Sequence, residues 1–156
     1  MATAHRTRSL TKAVRDPRTR PDLRVRRVRG MGRGVFAGRR FHKGEVIEVC
    51  PVVPFTRREE RQCRGTVLDR YFFAWDEPGY IVAMVLGLGC VYNTSPDPNA
   101  RFTQRWSTRD MVYRAARDIE PGEQILVNYG WAPGEFDIPP PRPKRPNRKP
   151  RPGVRR

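Results

Sequence analysis

Short apolar runs, separated by glycine and proline turns, follow one another through the middle of the chain. The stretch "LRVRRVRG" from Leu23 alternates apolar and basic residues, which is typical of a half-exposed strand. After the turn at Lys43-Gly44, the β-branched run "EVIEVCPVV" predicts a second strand. Between the two, "GMGRGVFAG" places four glycines in nine positions, which taken alone indicates a tight turn or a bulge.

The later runs predict four more strands and one helix. "YFFAW" and "YIVAMVLG" are separated by "DEPG", and "DMVYRAA" and "QILVNY" are separated by "RDIEPGE". The helix starts at "TRREERQCRG", where Thr56 can cap, Glu59 stands three residues on, and Gly65 ends the pattern. Many short strands without strand–helix alternation predict a small, mostly β domain and argue against a doubly wound nucleotide-binding sheet.

One polar segment does not fit its surroundings. "VYNTSPDPNA", residues 91–100, is typical of a surface loop, because its side chains compete for backbone hydrogen bonds and two prolines interrupt any ladder. Yet it directly follows "YIVAMVLGLGC", among the most apolar stretches of the chain.

The charge lies at the two ends of the chain. Of 156 residues, 32 are Lys or Arg and 16 Asp or Glu, giving a formal net charge of +16, while residues 34–136 balance 13 basic against 13 acidic. The Pro/Arg-rich tail 137–156 and the basic arm 1–22 hold little to pack, so both are expected to be disordered. A solubilising role and a polybasic contact with DNA, RNA or an acidic protein remain equally open.

Targeting and metal signals are weak. No signal peptide or membrane span is predicted, so the expected location is cytoplasmic, with nucleoid association open, and nuclear if the source is eukaryotic or the protein is delivered to a host. The three cysteines, Cys50, Cys63 and Cys90, are widely spaced and predict neither a metal site nor a disulfide framework.

Four segments stand in an order that is informative together: "GRGVFA", "KGEVI", "YNTSPDPNA" and "AARDIEPGEQILVNYG". Their order and spacing resemble the SET domain, the fold of most protein lysine methyltransferases, in its compact bacterial or viral form without a zinc-binding post-domain. The resemblance implies a mostly β, small multi-sheet (β-clip-like) domain over residues 23–136, with a C-terminal pseudoknot and little helix. It also implies that the polar loop is buried at the active site.

S-adenosyl-L-methionine is the cofactor that the resemblance implies. Gly32, Arg33 and Gly34 would approach it with backbone atoms, since a side chain at either glycine would block that approach. Asn93 matches the asparagine that contacts the cofactor. Thr94 stands where the family most often has His, whose backbone pairs with the adenine.

Tyr129 in "NYG" matches the catalytic tyrosine of the family. A substrate channel for lysine is expected from four further residues: Phe102, Tyr71, Val127 and Trp131. Free lysine is protonated at pH 7, with a pKa near ~10.4, so the amine must lose a proton before methyl transfer. With no general base evident, the sequence favours catalysis by positioning and desolvation.

Two other functions remain open. The fold could be a catalytically weak or inactive binding module, because Thr94 replaces His and no cysteine-rich segment follows the core. The chain could instead be a nucleic-acid-binding protein built around its basic arms. The expected partners are a lysine-containing protein, such as a histone or a basic DNA-associated protein, and nucleic acid through the arms. A homodimer is left open.

Overall fold

The computed structural model describes residues 22–130, so the basic arm, the Pro/Arg-rich tail and Trp131 lie outside the described residues. The described part contains nine strands, one α-helix and one 3-10 helix. These are β1 Leu23–Val28, β2 Gly32–Ala37, β3 Val46–Phe55, α1 Arg57–Cys63, the 3-10 helix Val67–Arg70, β4 Phe72–Ala74, β5 Val82–Val85, β6 Asn93–Thr94, β7 Ala100–Arg105, β8 Asp110–Ala115 and β9 Leu126–Val127. The predicted mostly β fold with little helix is confirmed.

The strands form three sheets. A central five-stranded sheet has the order β4-β5-β3-β8-β7, and all of its pairings are antiparallel. The β1–β2 hairpin forms a second, two-stranded antiparallel sheet, and β6 and β9 form a third, in which the two strands run parallel. Several small sheets that share one core match the multi-sheet architecture expected from the sequence.

The strand β3 is the longest and sits in the middle of the central sheet. Its register with β8 shifts between Val46 and Glu48, as a β-bulge does, and the two consecutive residues Ile47 and Glu48 are both buried. A regular strand would turn one of these two side chains outward. The bulge is therefore what lets a carboxylate enter the core beside an apolar residue.

The helix α1 begins as the sequence predicts. Thr56 accepts a hydrogen bond from the Glu59 amide, and the Glu59 carboxylate accepts one from the Thr56 amide, which completes a capping box. The chain leaves the helix through Gly65, whose φ of +74° suits glycine. Residues 22–130 hold no helix with the length and hydropathy needed to cross a bilayer.

Four strands differ from the expectation. The run "GRGVFA" is not only a turn but the whole of β2, which pairs with β1 after a turn closed by the Met31 amide on the Val28 carbonyl. β6 and β7 were not predicted. The predicted strand "QILVNY" is reduced to Leu126–Val127, because the backbone of Ile125 bonds instead to Val35 on β2.

Candidate active site

Two segments that are distant in the chain meet at the small parallel sheet. Asn93 lies opposite Leu126 and Thr94 opposite Val127, in a parallel pairing of β6 with β9. The Ser95 amide extends this pairing by donating to the Val127 carbonyl at 2.8 Å. The polar loop is thus held against the last strand of the described chain.

Both ends of this loop are buried, as the resemblance predicts, although its composition alone indicates a surface loop; Pro96 and Asp97 at its tip are exposed. The exposed fractions of Asn93, Thr94 and Asn99 are 8%, 4% and 1%. Within the described residues, Glu48 alone joins them as a buried polar or charged residue. Buried polar groups need hydrogen-bond partners, so the partners of each of these side chains indicate what it does.

Asn99 is a structural clamp. Its amide nitrogen donates to the Glu123 carboxylate at 3.0 Å and to the Gln124 carbonyl at 2.8 Å. Its amide oxygen accepts from the Leu126 backbone at 2.8 Å. One side chain therefore ties the polar loop to the segment that leads into β9, and so shapes the loop.

We expect Asn99→Ala to lower the free energy of unfolding by about 3 kcal/mol, because it removes these hydrogen bonds and leaves the Leu126 amide without its partner. Chemical denaturation monitored by circular dichroism measures the effect. Asn128→Ala is the matched control, since the Asn128 side chain is exposed and accepts only a local bond from the Gly130 amide. Equal losses in the two variants would contradict the clamp.

Asn93 and Gln124 behave differently from Asn99. Their amide nitrogens, Nδ2 and Nε2, are buried and have no hydrogen-bond partner among the described residues. Both converge on Gly34 of β2: a Cβ built there would lie 2.6 Å from Gln124 Nε2 and 2.7 Å from Asn93 Nδ2. A buried, unpaired amide donor costs about 1–3 kcal/mol, so two of them at one glycine indicate a binding site for hydrogen-bond acceptors.

The glycine motif lies at the same place. Gly34 is buried, whereas Gly32, with a φ of +80°, and Arg33 are exposed near the hairpin turn. A side chain at position 34 would also meet Val28 at 2.9 Å. Of the two predicted glycines, Gly34 is therefore the one that close packing requires, while Gly32 is required by its backbone conformation.

Tyr129 lies across the Asn93 loop. Its backbone amide donates to the Thr94 hydroxyl at 3.2 Å, and its phenol donates to the carbonyl of Tyr92. Burial raises the pKa of the Tyr129 phenol to about 12, so the phenol stays protonated at neutral pH. Thr94, the residue that departs from the usual His, thus has a defined contact: its hydroxyl helps to position Tyr129.

Aromatic rings surround this tyrosine. Phe73 packs edge-on against Tyr129, with ring centroids 5.9 Å apart, and against Phe102 at 5.5 Å. Phe102 in turn lies 6.0 Å from Tyr113. Phe73, Phe102 and Tyr129 form one wall, which we call the aromatic wall; an apolar wall of this kind disfavours a charged ammonium group.

The other predicted channel residues lie in different settings. Val127 is fully buried in β9, beside the polar loop. Tyr71 follows the 3-10 helix, directly before β4, with 39% of its surface exposed. Trp131 lies outside the described residues. The structure thus groups Phe102 with Tyr129 through Phe73, and, in addition to burial, the Tyr71 phenol contributes to the raised pKa of the Tyr129 phenol.

The buried carboxylate of Glu48 lies next to the site and accepts hydrogen bonds from two of its neighbours. The Tyr92 phenol donates to Glu48 at 2.9 Å, and the Leu88 amide donates to the same carboxylate at 3.3 Å. Burial, and secondarily the charge of Glu48, raises the pKa of the Tyr92 phenol well above its usual value. Because the Tyr92 carbonyl receives the Tyr129 phenol, Glu48 helps to hold the acceptor that orients Tyr129.

The sequence interpretation did not single out Gln124, Phe73 or Glu48. Gln124 lies inside the motif "GEQILVNYG". Its nearness to Gly34 becomes visible only in the fold, where its backbone pairs with Phe36 of β2 in an isolated antiparallel β-bridge. Phe73 looks like an ordinary strand residue until the β4–β5 pairing places it. Glu48 carried one usable signal, an acidic residue within an otherwise apolar strand.

The chain matches known proteins in family, sequence and structure. The sequence model of a family described as the SET domain matches residues 32–130. A Schizosaccharomyces pombe protein named "Histone-lysine N-methyltransferase, H3 lysine-37 specific" is 31% identical over 118 residues, which cover 75% of this chain and 79% of that protein.

Solved structures resemble the fold. A Plasmodium falciparum protein assigned as a histone methyltransferase aligns with a TM-score of 0.57 and 28% identity, covering 71% of this chain and 95% of that one. Two more distant structures share the fold alone. The Neurospora histone lysine methyltransferase DIM-5 has a TM-score of 0.53 and 19% identity, covering 70% of this chain and 52% of that one. The structure of ctPRC2 bound to S-adenosylmethionine has a TM-score of 0.55 and 22% identity, covering 69% of this chain and 15% of that one.

Proposed function

Because this chain belongs to the SET domain family, we propose that it transfers methyl groups from S-adenosylmethionine to a lysine side chain of a protein. The relative from Schizosaccharomyces pombe is named for lysine 37 of histone H3. We therefore propose a histone or another basic, DNA-associated protein as the substrate. Residues 23–136 form the catalytic domain, and 1–22 and 137–156 form the two basic arms.

One observation carries the proposal: the unpaired donors of Asn93 and Gln124 converge on Gly34, while the Tyr129 phenol bonds to the carbonyl of the residue before Asn93. S-adenosylmethionine offers a carboxylate and ribose hydroxyls, which can accept hydrogen bonds from amide donors. The residues present thus fit the cofactor. Gly32, Arg33, Gly34, Asn93 and Thr94 would hold it, as the resemblance implies, with Gln124 as an added donor.

The parallel pairing of β6 with β9 supports the C-terminal pseudoknot, in which the closing segment passes beside the Asn93 loop. This arrangement brings Tyr129, near the end of the described chain, to residues more than thirty positions earlier. The pseudoknot is thus what unites the cofactor residues with the catalytic tyrosine.

The chain's own residues position and desolvate the amine. Bound S-adenosylmethionine supplies an electrophilic methyl group on a sulfonium. The aromatic wall excludes water and disfavours the ammonium form of the lysine, which promotes proton loss to solvent. Tyr129, protonated and fixed by Tyr92, orients the neutral amine for an in-line displacement in which nitrogen gains the methyl and sulfur keeps the bonding electron pair.

A two-part experiment tests this function. Isothermal titration of S-adenosylmethionine into the purified chain should give saturable binding with a dissociation constant between about 1 μM and 1 mM, the usual range for enzyme substrates. Incubation with labelled cofactor should then methylate a histone or another protein in a panel of basic proteins.

The binding module is the main alternative, and the two readouts separate it from the enzyme. Absence of binding heat would support the inactive module and overturn the proposal. Cofactor binding without transfer to any protein of the panel would retain the cofactor site but would contradict histone-like substrates.

A further inference from the structure

The β1–β2 hairpin carries a concentration of positive charge. Five arginines lie on it or in its turn, and all five are exposed: Arg24, Arg26, Arg27, Arg29 and Arg33. No acidic residue occurs between Asp22 and Glu45. We call residues 23–37 the basic hairpin; it belongs to the folded domain and not to the arms.

Its arginines differ from others of the same domain. Arg39 pairs with Asp22 and Glu45, and Arg109 pairs with Glu77. For the five arginines of the basic hairpin, no ion pair is found with any described residue. The acids of the described chain neutralise other surfaces and leave this one positive.

Two of the five even face each other. Arg27 lies directly opposite Arg33 in the antiparallel register. Like charges placed opposite each other across a strand pair destabilise it. Charged side chains on an edge strand can protect it from aggregation, but that purpose does not require one sign of charge or a repelling pair. A polyanionic partner would relieve this repulsion.

The placement of the arginines favours duplex nucleic acid. Because β2 bonds along its outer edge to residues 122–125, and Leu23, Val35 and Ala37 are buried, the hairpin does not enter a groove; its exposed arginines face the outside of a duplex, which carries one charge per about 1.7 Å of axis. Arg24 and Arg26 lie on one face of the hairpin, and Arg27 and Arg33 on the other, so several phosphates can be contacted together.

Single-stranded binding fits the hairpin less well, because it relies on exposed aromatic rings that stack with bases. Phe36 is the one aromatic residue of the hairpin, and the Arg26 guanidinium covers it at 5.3 Å from the ring centroid. The hairpin has no Asn or Gln to read adenine edges, and arginines that stay outside the groove reach phosphates and not base edges. The chemistry is thus that of phosphate contact.

We propose that the basic hairpin binds the phosphate backbones of duplex DNA without sequence preference. β2 also contains Gly34, so a duplex held there lies on the same ribbon as the cofactor site. The hairpin would bring the enzyme to proteins already bound to DNA. The inference stands on charge and register and does not require methyl transfer.

Fluorescence anisotropy with a labelled duplex of about 20 bp tests the proposal on the full chain without cofactor. The test variant is Arg24→Gln/Arg27→Gln/Arg29→Gln, which spares Arg33 and the ring contact of Arg26. The matched control is Arg57→Gln/Arg58→Gln/Arg61→Gln, which removes the same charge from exposed positions on α1. Circular dichroism checks that both variants fold.

Each phosphate contact contributes about −0.9 to the slope of log K against log salt concentration. The hairpin variant should therefore flatten the slope by up to about 2.7 between about 50 and 200 mM salt, and the α1 variant by much less. Equal changes in the two variants would overturn the proposal. So would a hairpin variant that loses affinity for polyglutamate or single-stranded RNA but not for the duplex.

Discussion

Replacing Asn93 with Ala should lower the affinity for S-adenosylmethionine by about 10- to 100-fold without lowering the stability of the domain. The affinity falls because a buried amide donor to the cofactor is lost, at about 1.4–2.8 kcal/mol. The stability does not fall, because Asn93 Nδ2 has no hydrogen-bond partner among residues 22–130. Removing an unpaired buried donor relieves a desolvation cost.

Calorimetry for affinity and a thermal melt without added cofactor measure the two effects on the same samples. Asn99→Ala provides the contrast. Because it loses the hydrogen bonds of the Asn99 amide, its melting temperature should fall, whereas that of Asn93→Ala should not. Asn128→Ala should change neither quantity by much. An Asn93→Ala protein that unfolds readily, or that binds the cofactor as tightly as the original chain, would contradict the assignment of Asn93 to the cofactor.

Local sequence signals predicted the elements they control directly. The capping box at Thr56 and Glu59 involves residues three positions apart, so the sequence contains all of its information. The long strand β3 follows from its β-branched residues. The motifs around Asn93 and Tyr129 led to the family because their order and spacing, and not any one residue, are specific.

Features that depend on distant register were beyond the sequence. β6 and β9 contain two residues each, too few for a periodic pattern, and each exists only because the other lies beside it. Phe73 and Gln124 have ordinary neighbours in sequence. Their places at the site come from pairings with β5 and β2, which no local pattern indicates.

Charge was also distributed differently from what a linear count implies. Counting along the chain assigns the arginines before residue 34 to a basic end, although the alternation from Leu23 predicts that the last of them lie on a half-exposed strand. Five of them, from Arg24 to Arg33, lie instead on or between two paired strands. The fold thereby converts part of a compositional bias into an ordered surface of defined geometry.

Replacing Tyr129 with Phe should reduce the rate of methyl transfer by about 100-fold while changing the affinity for S-adenosylmethionine little. The phenol orients the amine, and a misplacement of about 1 Å at the reacting centre can cost that factor. Because the pKa of the phenol is about 12, Tyr129 stays protonated below about pH 11, so its loss should lower the pH–rate profile without shifting it. Single-turnover transfer of labelled methyl, measured between about pH 7 and 10, tests both statements.

Tyr113→Phe separates this effect from simple loss of a buried hydroxyl. The Tyr113 phenol also donates to a backbone carbonyl, that of Gly89 at 3.0 Å, and its ring contacts Phe102. Both variants lose one phenol-to-carbonyl bond, worth about 1 kcal/mol of stability, so their melts should shift alike. Only Tyr129→Phe should lose transfer. If the two variants slow the reaction equally, Tyr129 serves the packing of the aromatic wall and not the orientation of the amine.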